Sequence, residues 1–218
     1  MANIRQKGLK LSKGDYVSFI DDDVYCPSTW LQFIVQTLQE EGVVGVSGPT
    51  TITKEFRDNR DLFKFKRIKY LYDLLFLDGK ANLPGFLSKC GAPSTYSNDE
   101  GCSYEGEVHY LECCNMSIKR KEAIDVGGFD PKYIGTGEWS EVELSLKLAS
   151  RGKLLFKSKA ALYHRPSKSG AYANRLSTLH RRQNFIKFQN RWIKPSLKRH
   201  LYWAFIWIYL KMKDWRMI

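Results

Sequence analysis

Three consecutive aspartates, Asp21, Asp22 and Asp23, follow directly on a short apolar run, YVSFI over 16–20. Adjacent carboxylates repel one another unless a cation neutralises them. Along an extended chain successive side chains alternate, so Asp21 and Asp23 face one side and Asp22 the other. Two carboxylates on one side suit a hard divalent ion, Mg2+ or Mn2+, and such an ion could hold a diphosphate. The placement fits, because ligands of open α/β sheets bind beyond the carboxyl ends of the strands. A solvated acidic turn is the alternative reading of the same triplet.

A second group of acids, Glu138, Glu141 and Glu143, stands where a helical pattern begins after Gly135 and Gly137. A helix N-terminus favours an ionised carboxylate, and a carboxylate beside a glycine-rich loop is a candidate general base. The competing reading is that these acids only cap and balance the helix. His164 follows the run Ala160 to Tyr163. A lone histidine is commonly structural; here it becomes a candidate ligand because a hard metal site already offers two carboxylates.

These groups need elements to hold them. YVSFI after the turn signal Lys13-Gly14-Asp15 predicts a strand. Pro27-Ser28 opens a helix whose apolar face is Leu31, Ile34, Val35 and Leu38, stopped by Gly42. VVGV over 43–46 predicts a second strand. Strand, helix, strand in this spacing predicts a βαβ unit and a mostly parallel sheet. A further helix is expected between Leu62 and Leu77, and a long irregular excursion over 82–106. Apolar alternation returns over 108–118, a short helix over 121–126 stops at Gly127-Gly128, and Trp139, Val142, Leu146 and Ala149 mark one helix face ending near Gly152. Leu154 to Phe156 and Ala160 to Tyr163 are short extended runs. Beyond Asn174 the pattern is helical and basic, broken at Pro195.

Charge divides the chain in two. Residues 151–218 hold 17 Lys and Arg against one acid, Asp214, whereas the overall net charge is +12, so the first 150 residues are mildly acidic. A basic end suits a solvated surface, a nucleic acid or an anionic membrane. LYWAFIWIYL over 201–210 is about half the length needed to span a bilayer. Its Trp and Tyr, set among Lys and Arg, suit a helix lying in the membrane interface; a helix packed on the core is the alternative. Nucleic acid is not expected as a partner, since no binding motif accompanies the charge. The five cysteines contain no C-x-x-C pair, so no zinc site is expected. No signal-peptide pattern occurs, and a cytoplasmic setting is expected, peripheral at the inner face of the membrane if the aromatic end docks there.

The order of the motifs resembles that of family 2 glycosyltransferases, which have the GT-A fold. Arg5 to Leu9 with Gly14-Asp15-Tyr16 is similar to the helix and turn before the family's acidic motif, and Phe19 to Asp23 to its Asp-x-Asp motif. Cys114 to Arg120 resembles its Asn-Met-x-hydrophobic-Arg segment, and Gly127 to Asp130 its Gly-Gly-Phe-Asp turn. Trp139 to Lys147, Gly152 and His164 resemble the helix of the catalytic acid, the following glycine and the closing histidine.

That resemblance implies an inverting transfer of a sugar from a nucleotide-diphosphate sugar to an acceptor hydroxyl, dependent on Mg2+ or Mn2+. It implies Glu141 as base; Asp21, Asp22, Arg5 and Lys7 at the donor; Asn115, Trp139, Ser140 and Gly137 at the acceptor; and Asp21, Asp23 and His164 at the metal. The acceptor would be a saccharide, a lipid-linked group or a protein. The family usually has Glu-Asp-x-Asp where this chain has Ser140-Glu141-Val142-Glu143, so the base is one methylene longer. The resemblance further implies a Rossmann-like domain over 1–165 without its first βα units, and a basic helical extension over 166–218. A non-catalytic remnant that binds sugar or a partner is the alternative function, and a basic membrane- or nucleic-acid-binding protein a third.

Overall fold

The computed structural model describes residues 1–52, 66–94, 102–165 and 178–214. Helix α1 (Ala2–Leu11) leads into strand β1 (Tyr16–Ile20), then β2 (Val24–Tyr25), α2 (Trp30–Gln39), β3 (Val43–Ser47) and β4 (Thr50–Ile52). Helix α3 (Lys66–Phe76) and β5 (Gly106–Glu107) precede β6 (Asn115–Lys119) and α4 (Arg120–Asp125). Helix α5 (Ser140–Leu148), β7 (Lys153–Phe156) and β8 (Leu162–His164) follow, and α6 (Thr178–Trp192) and α7 (Leu197–Asp214) complete the described chain.

The strands form one sheet in the order β1-β6-β3-β7-β5 and a smaller one in the order β2-β8-β4. The α/β class expected from the sequence is present, but the main sheet is mixed rather than mostly parallel. Strands β1 and β3 run the same way, as a βαβ unit requires, yet β6 lies between them and is antiparallel to both. Only β3 and β7 pair in parallel in that sheet among the described residues. The insertion of β6 joins residues about a hundred positions apart, such as Ser18 and Ser117, whose hydroxyls meet at 2.7 Å.

Each face of the sheet is covered for a readable reason. Strand β3 is buried along its whole length. Gly45 is needed there because a Cβ would come within 2.8 Å of Leu111 and 2.9 Å of Leu154. On one face α2 lays Trp30, Ile34 and Leu38 against Val43, Val46 and Leu162. Ile34 and Leu38 are fully buried, each worth roughly 2 kcal/mol. Leu31, expected on this face, is exposed, and Trp30 takes its place. On the other face Leu9 of α1, Ala123 of α4 and Leu144 and Leu148 of α5 pack on Met116, Ile118 and Phe156. Helix α5 is buried on more than the one face its apolar spacing suggests: Ser140, Glu143 and Ser145 are buried, while Ala149 is exposed.

Ser145 is held between the Leu111 amide and the Glu141 carbonyl, and helix α6 covers Glu143. Phe188 and Ile193 share a cluster with Ala2, Tyr133 and Val142. Phe185 and Tyr202 share another with Tyr72, Phe76 and Phe86. The segments divided at residue 165 therefore have buried clusters in common. Glu143, 1% exposed, is the polar centre of this contact. It accepts hydrogen bonds from Tyr133 (2.7 Å), Trp192 (3.1 Å) and Arg191 (3.1 Å), and pairs with Lys147 at 3.0 Å. Asp130 pairs with Lys187 at 2.7 Å and Arg191 at 3.3 Å.

Burial alone would raise both carboxyl pKa values. For Glu143 the hydrogen bonds from Tyr133, Lys147 and Trp192 outweigh it, and for Asp130 the contacts with Lys187, the Lys132 backbone and Arg191 do so. Both pKa values therefore lie below the ordinary 4.5 and 3.8. A depressed carboxylate pKa adds stability above its unfolded value, and that stability is lost as pH falls through the folded value. Glu143→Ala should cost about 3 kcal/mol in urea denaturation at neutral pH, since it strands cations in a buried site. The gap between this variant and the parent should narrow as pH drops below about 4.5.

Candidate metal and donor site

The tip of β1 and the end of β8 meet. The pairing of Val24 with His164 brings β8 beside the Asp triplet, and the Arg165 amide donates to the Asp23 carbonyl at 2.9 Å. His164 is 3% exposed, and its Nε2 lies 2.8 Å from Asp23 Oδ1 and 3.7 Å from Asp21 Oδ2. One ligand atom from each of Asp21, Asp23 and His164 lies within 4.8 Å of the others. Two carboxylate oxygens and an imidazole nitrogen fit a single divalent ion. The two carboxylates suit a hard ion, Mg2+ or Mn2+. Asp22 is exposed and outside this set; the chain at Asp22 and Asp23 is a turn between β1 and β2 rather than the extended strand expected from the sequence.

The base candidate approaches from the other side. Glu141 lies in the first turn of α5 and faces Arg5 of α1, Nη1 to Oε2 at 3.9 Å. Burial works against the charge on Arg5, but Cys113, Glu141 and Asp21 outweigh it and hold its pKa above the usual value. Arg5 is thus the cation beside the Glu141 carboxylate. Lys7, two residues on, is exposed, on a different face of α1 from Arg5. The adjacent thiols are not nucleophiles at neutral pH: burial pushes Cys113 up, and pushes Cys114 up to about 12.

Three residues that the resemblance places at the acceptor are packed inside the structure. Asn115 is fully buried, and its amide group donates to the carbonyls of Gly48 (2.9 Å), Pro49 (3.3 Å) and Ala160 (2.8 Å). Its Oδ1 accepts from Trp30 Nε1 at 3.2 Å, so no polar atom remains for a ligand. Gly137, at φ +72°, lets the loop approach α1, where a Cβ would come within 2.9 Å of the Ala2 nitrogen. Ser140 is buried, with its hydroxyl 3.3 Å from Glu141 Oε2. Trp139 is half-buried, and its ring stacks on Phe188 at 4.6 Å. Glu138, grouped with Glu141 and Glu143 in the sequence, has a partner that spacing did not show. Both its carboxylate oxygens are buried without a hydrogen bond, and Oε1 lies 3.6 Å from Arg181 Nε. Only the docking of α6 reveals that partner.

The mixed sheet, the covering helices and the acid cluster at the strand tip are those of the GT-A glycosyltransferase fold. Residues 1–92 match the model of the family described as Glycosyl transferase family 2. That match takes in Arg5 and the Asp triplet and ends before Asn115, Glu141 and His164. Among solved structures, the chain is similar to a mannosyltransferase from Pyrobaculum calidifontis in complex with GDP-Man and Mn2+. Identity is 18% and the TM-score 0.50, over 91% of this chain and 46% of that one. A GalNAc-T7 structure with UDP, GalNAc and Mn2+ matches at 14% identity and TM-score 0.49, over 78% of this chain and 31% of that one. The chain thus spans less than half the length of either. No curated protein sequence matches it.

The ligand set is open to direct measurement. Asp23→Asn should weaken Mn2+ binding more than about tenfold, read by electron paramagnetic resonance, with the circular dichroism spectrum unchanged. Unchanged Mn2+ affinity would remove Asp23 from the site.

Proposed function

We propose that the chain carries the catalytic site of an inverting glycosyltransferase that moves a sugar from a nucleotide-diphosphate donor to an acceptor hydroxyl. One observation carries this reading: Asp21, Asp23 and His164 each place a ligand atom within 4.8 Å of the others, a set that fits a divalent ion at the tip of β1. Asp21, Asp23 and His164 would hold Mn2+ or Mg2+, which would act as a Lewis acid against the charge gathering on the departing diphosphate. The match of residues 1–92 to family 2 supports the donor side of the reading; Asp22, Arg5 and Lys7 would be donor contacts, Asp22 and Lys7 both being exposed.

Glu141 takes the acceptor proton. As the acceptor oxygen forms its bond to the anomeric carbon from one face, the bond to the diphosphate oxygen breaks on the other, and the configuration inverts. Before the acceptor arrives, Ser140 and Arg5 hold the Glu141 carboxylate in place. At 3.9 Å the Arg5 pair is loose, and such pairs contribute less than about 1 kcal/mol, so an acceptor hydroxyl displaces it easily. Trp139, beside Glu141, would flank the acceptor. A saccharide, lipid-linked or protein acceptor, and peripheral attachment at the inner face of a membrane, belong to the same proposal.

A second reading is a sugar- or partner-binding module without turnover. It is favoured by a buried Ser140 at the position the family fills with Glu. Glu141→Gln separates the two when nucleotide sugars are screened with Mn2+. Transfer and donor hydrolysis should fall by about a hundredfold or more, while donor affinity stays within about threefold. Undiminished turnover in that variant would reject Glu141 as base. Donor binding with no turnover in the parent chain would establish the binding module.

A further inference from the structure

The described helices α3 and α7 touch through aromatic side chains. Rings of Tyr72 and Phe76 pack on Tyr202 and Phe205 at 5.3–6.2 Å, and Lys198 pairs with Asp78 at one end. Away from this seam both helices turn apolar side chains to solvent. On α3, Tyr70, Leu71, Leu74 and Leu75 expose half or more of their surface. On α7, Leu197, Leu201 and Ile208 do the same, at steps of four and seven residues that keep them on one stripe roughly 16 Å long. The Lys198–Asp78 pair joins the two exposed rows.

We infer that this two-helix plate docks on an anionic lipid bilayer. It deepens the attachment part of the proposal above, and it can be tested without donor or turnover. The sequence pointed only to the α7 run; the plate adds α3, whose leucines meet α7 only through the fold. Charge selects the occupant. Residues 66–80 carry four Lys and Arg against two Asp, and residues 194–213 carry five against none. Both Asp are already paired, Asp73 with Lys69 and Asp78 with Lys198.

A second copy placed on this face about a two-fold axis would set cations against cations. An anionic headgroup layer matches them, while the leucines enter the acyl boundary. A nucleic acid would satisfy the charges but leave the leucines in water. The exposed Arg67, Lys80, Lys194 and Lys211 supply the basic groups that settle at headgroup depth. No described helix is long and apolar enough to cross the membrane, so the plate lies on its surface.

The test is flotation of the full chain with phosphatidylcholine vesicles containing about 30 mol% phosphatidylglycerol, beside pure phosphatidylcholine. The parent should bind the anionic vesicles and lose most binding on the neutral ones and at raised salt. Leu74→Asp with Leu201→Asp should weaken binding at least about tenfold. Both side chains are exposed, so the melting temperature and Mn2+ binding should not change. Ile208→Asp, on the same stripe, should act in the same direction. Equal flotation of variant and parent, or no flotation of the parent, would overturn the inference. So would a parent dimer in sedimentation equilibrium that the double variant turns into monomer, since the face would then belong to a second copy.

Discussion

The geometry of the site depends on one buried amide. Asn115 stands in β6 at the join between the two sheets, and its amide nitrogen holds the carbonyls of Gly48, Pro49 and Ala160. The first two carbonyls fix the step from β3 to β4; the third fixes the turn before β8. His164 closes β8, so its position against Asp21 and Asp23 follows from where Ala160 is held. Gly48 allows the close approach, since a Cβ would lie 2.4 Å from the Ala160 oxygen. An unsatisfied buried amide costs about 1–3 kcal/mol per group, so this arrangement has few alternatives once the sheets close.

Much of the local structure was legible. YVSFI, VVGV and the helix between them are where apolar spacing places them, and Asp21 and Asp23 share His164 as a neighbour, brought there by a turn and not by the extended strand the alternation assumed. The metal-fitting set follows from chemistry that needs only local order: a strand tip, a triplet and a closing histidine. What could not be read was pairing at a distance. That β6 runs antiparallel between β1 and β3 depends on contacts about a hundred residues apart, and no period in either segment encodes it. Asn115 looked like an acceptor contact for the same reason, because the carbonyls that occupy it belong to residues 48, 49 and 160. Glu143 looked like a helix cap until α6 placed Arg191 and Trp192 against it.

Helix α6 links these features. Trp139 adopts a left-handed backbone, φ +75°, which costs a bulky residue about 1–2 kcal/mol. That conformation starts α5 at Ser140 and sets Glu141 in its first turn. The offset comes from α6: the Trp139 ring stacks on Phe188 at 4.6 Å and meets Phe185 at 5.8 Å, contacts worth roughly 0.5–1.5 kcal/mol each beyond burial. Phe185 in turn packs on Tyr202 and Trp203 of α7. The basic carboxy-terminal helices therefore support the turn that aims Glu141. The same chain of rings runs from that turn to the exposed leucines of α3 and α7. A surface that engaged those leucines would bear on the cluster beneath Trp139, whereas Asp21, Asp23 and His164 are held independently, through Asn115. The metal-fitting triad and the Glu141 carboxylate thus rest on different parts of the core. Damage to α6 or α7 acts first on Glu141 and leaves the triad in place.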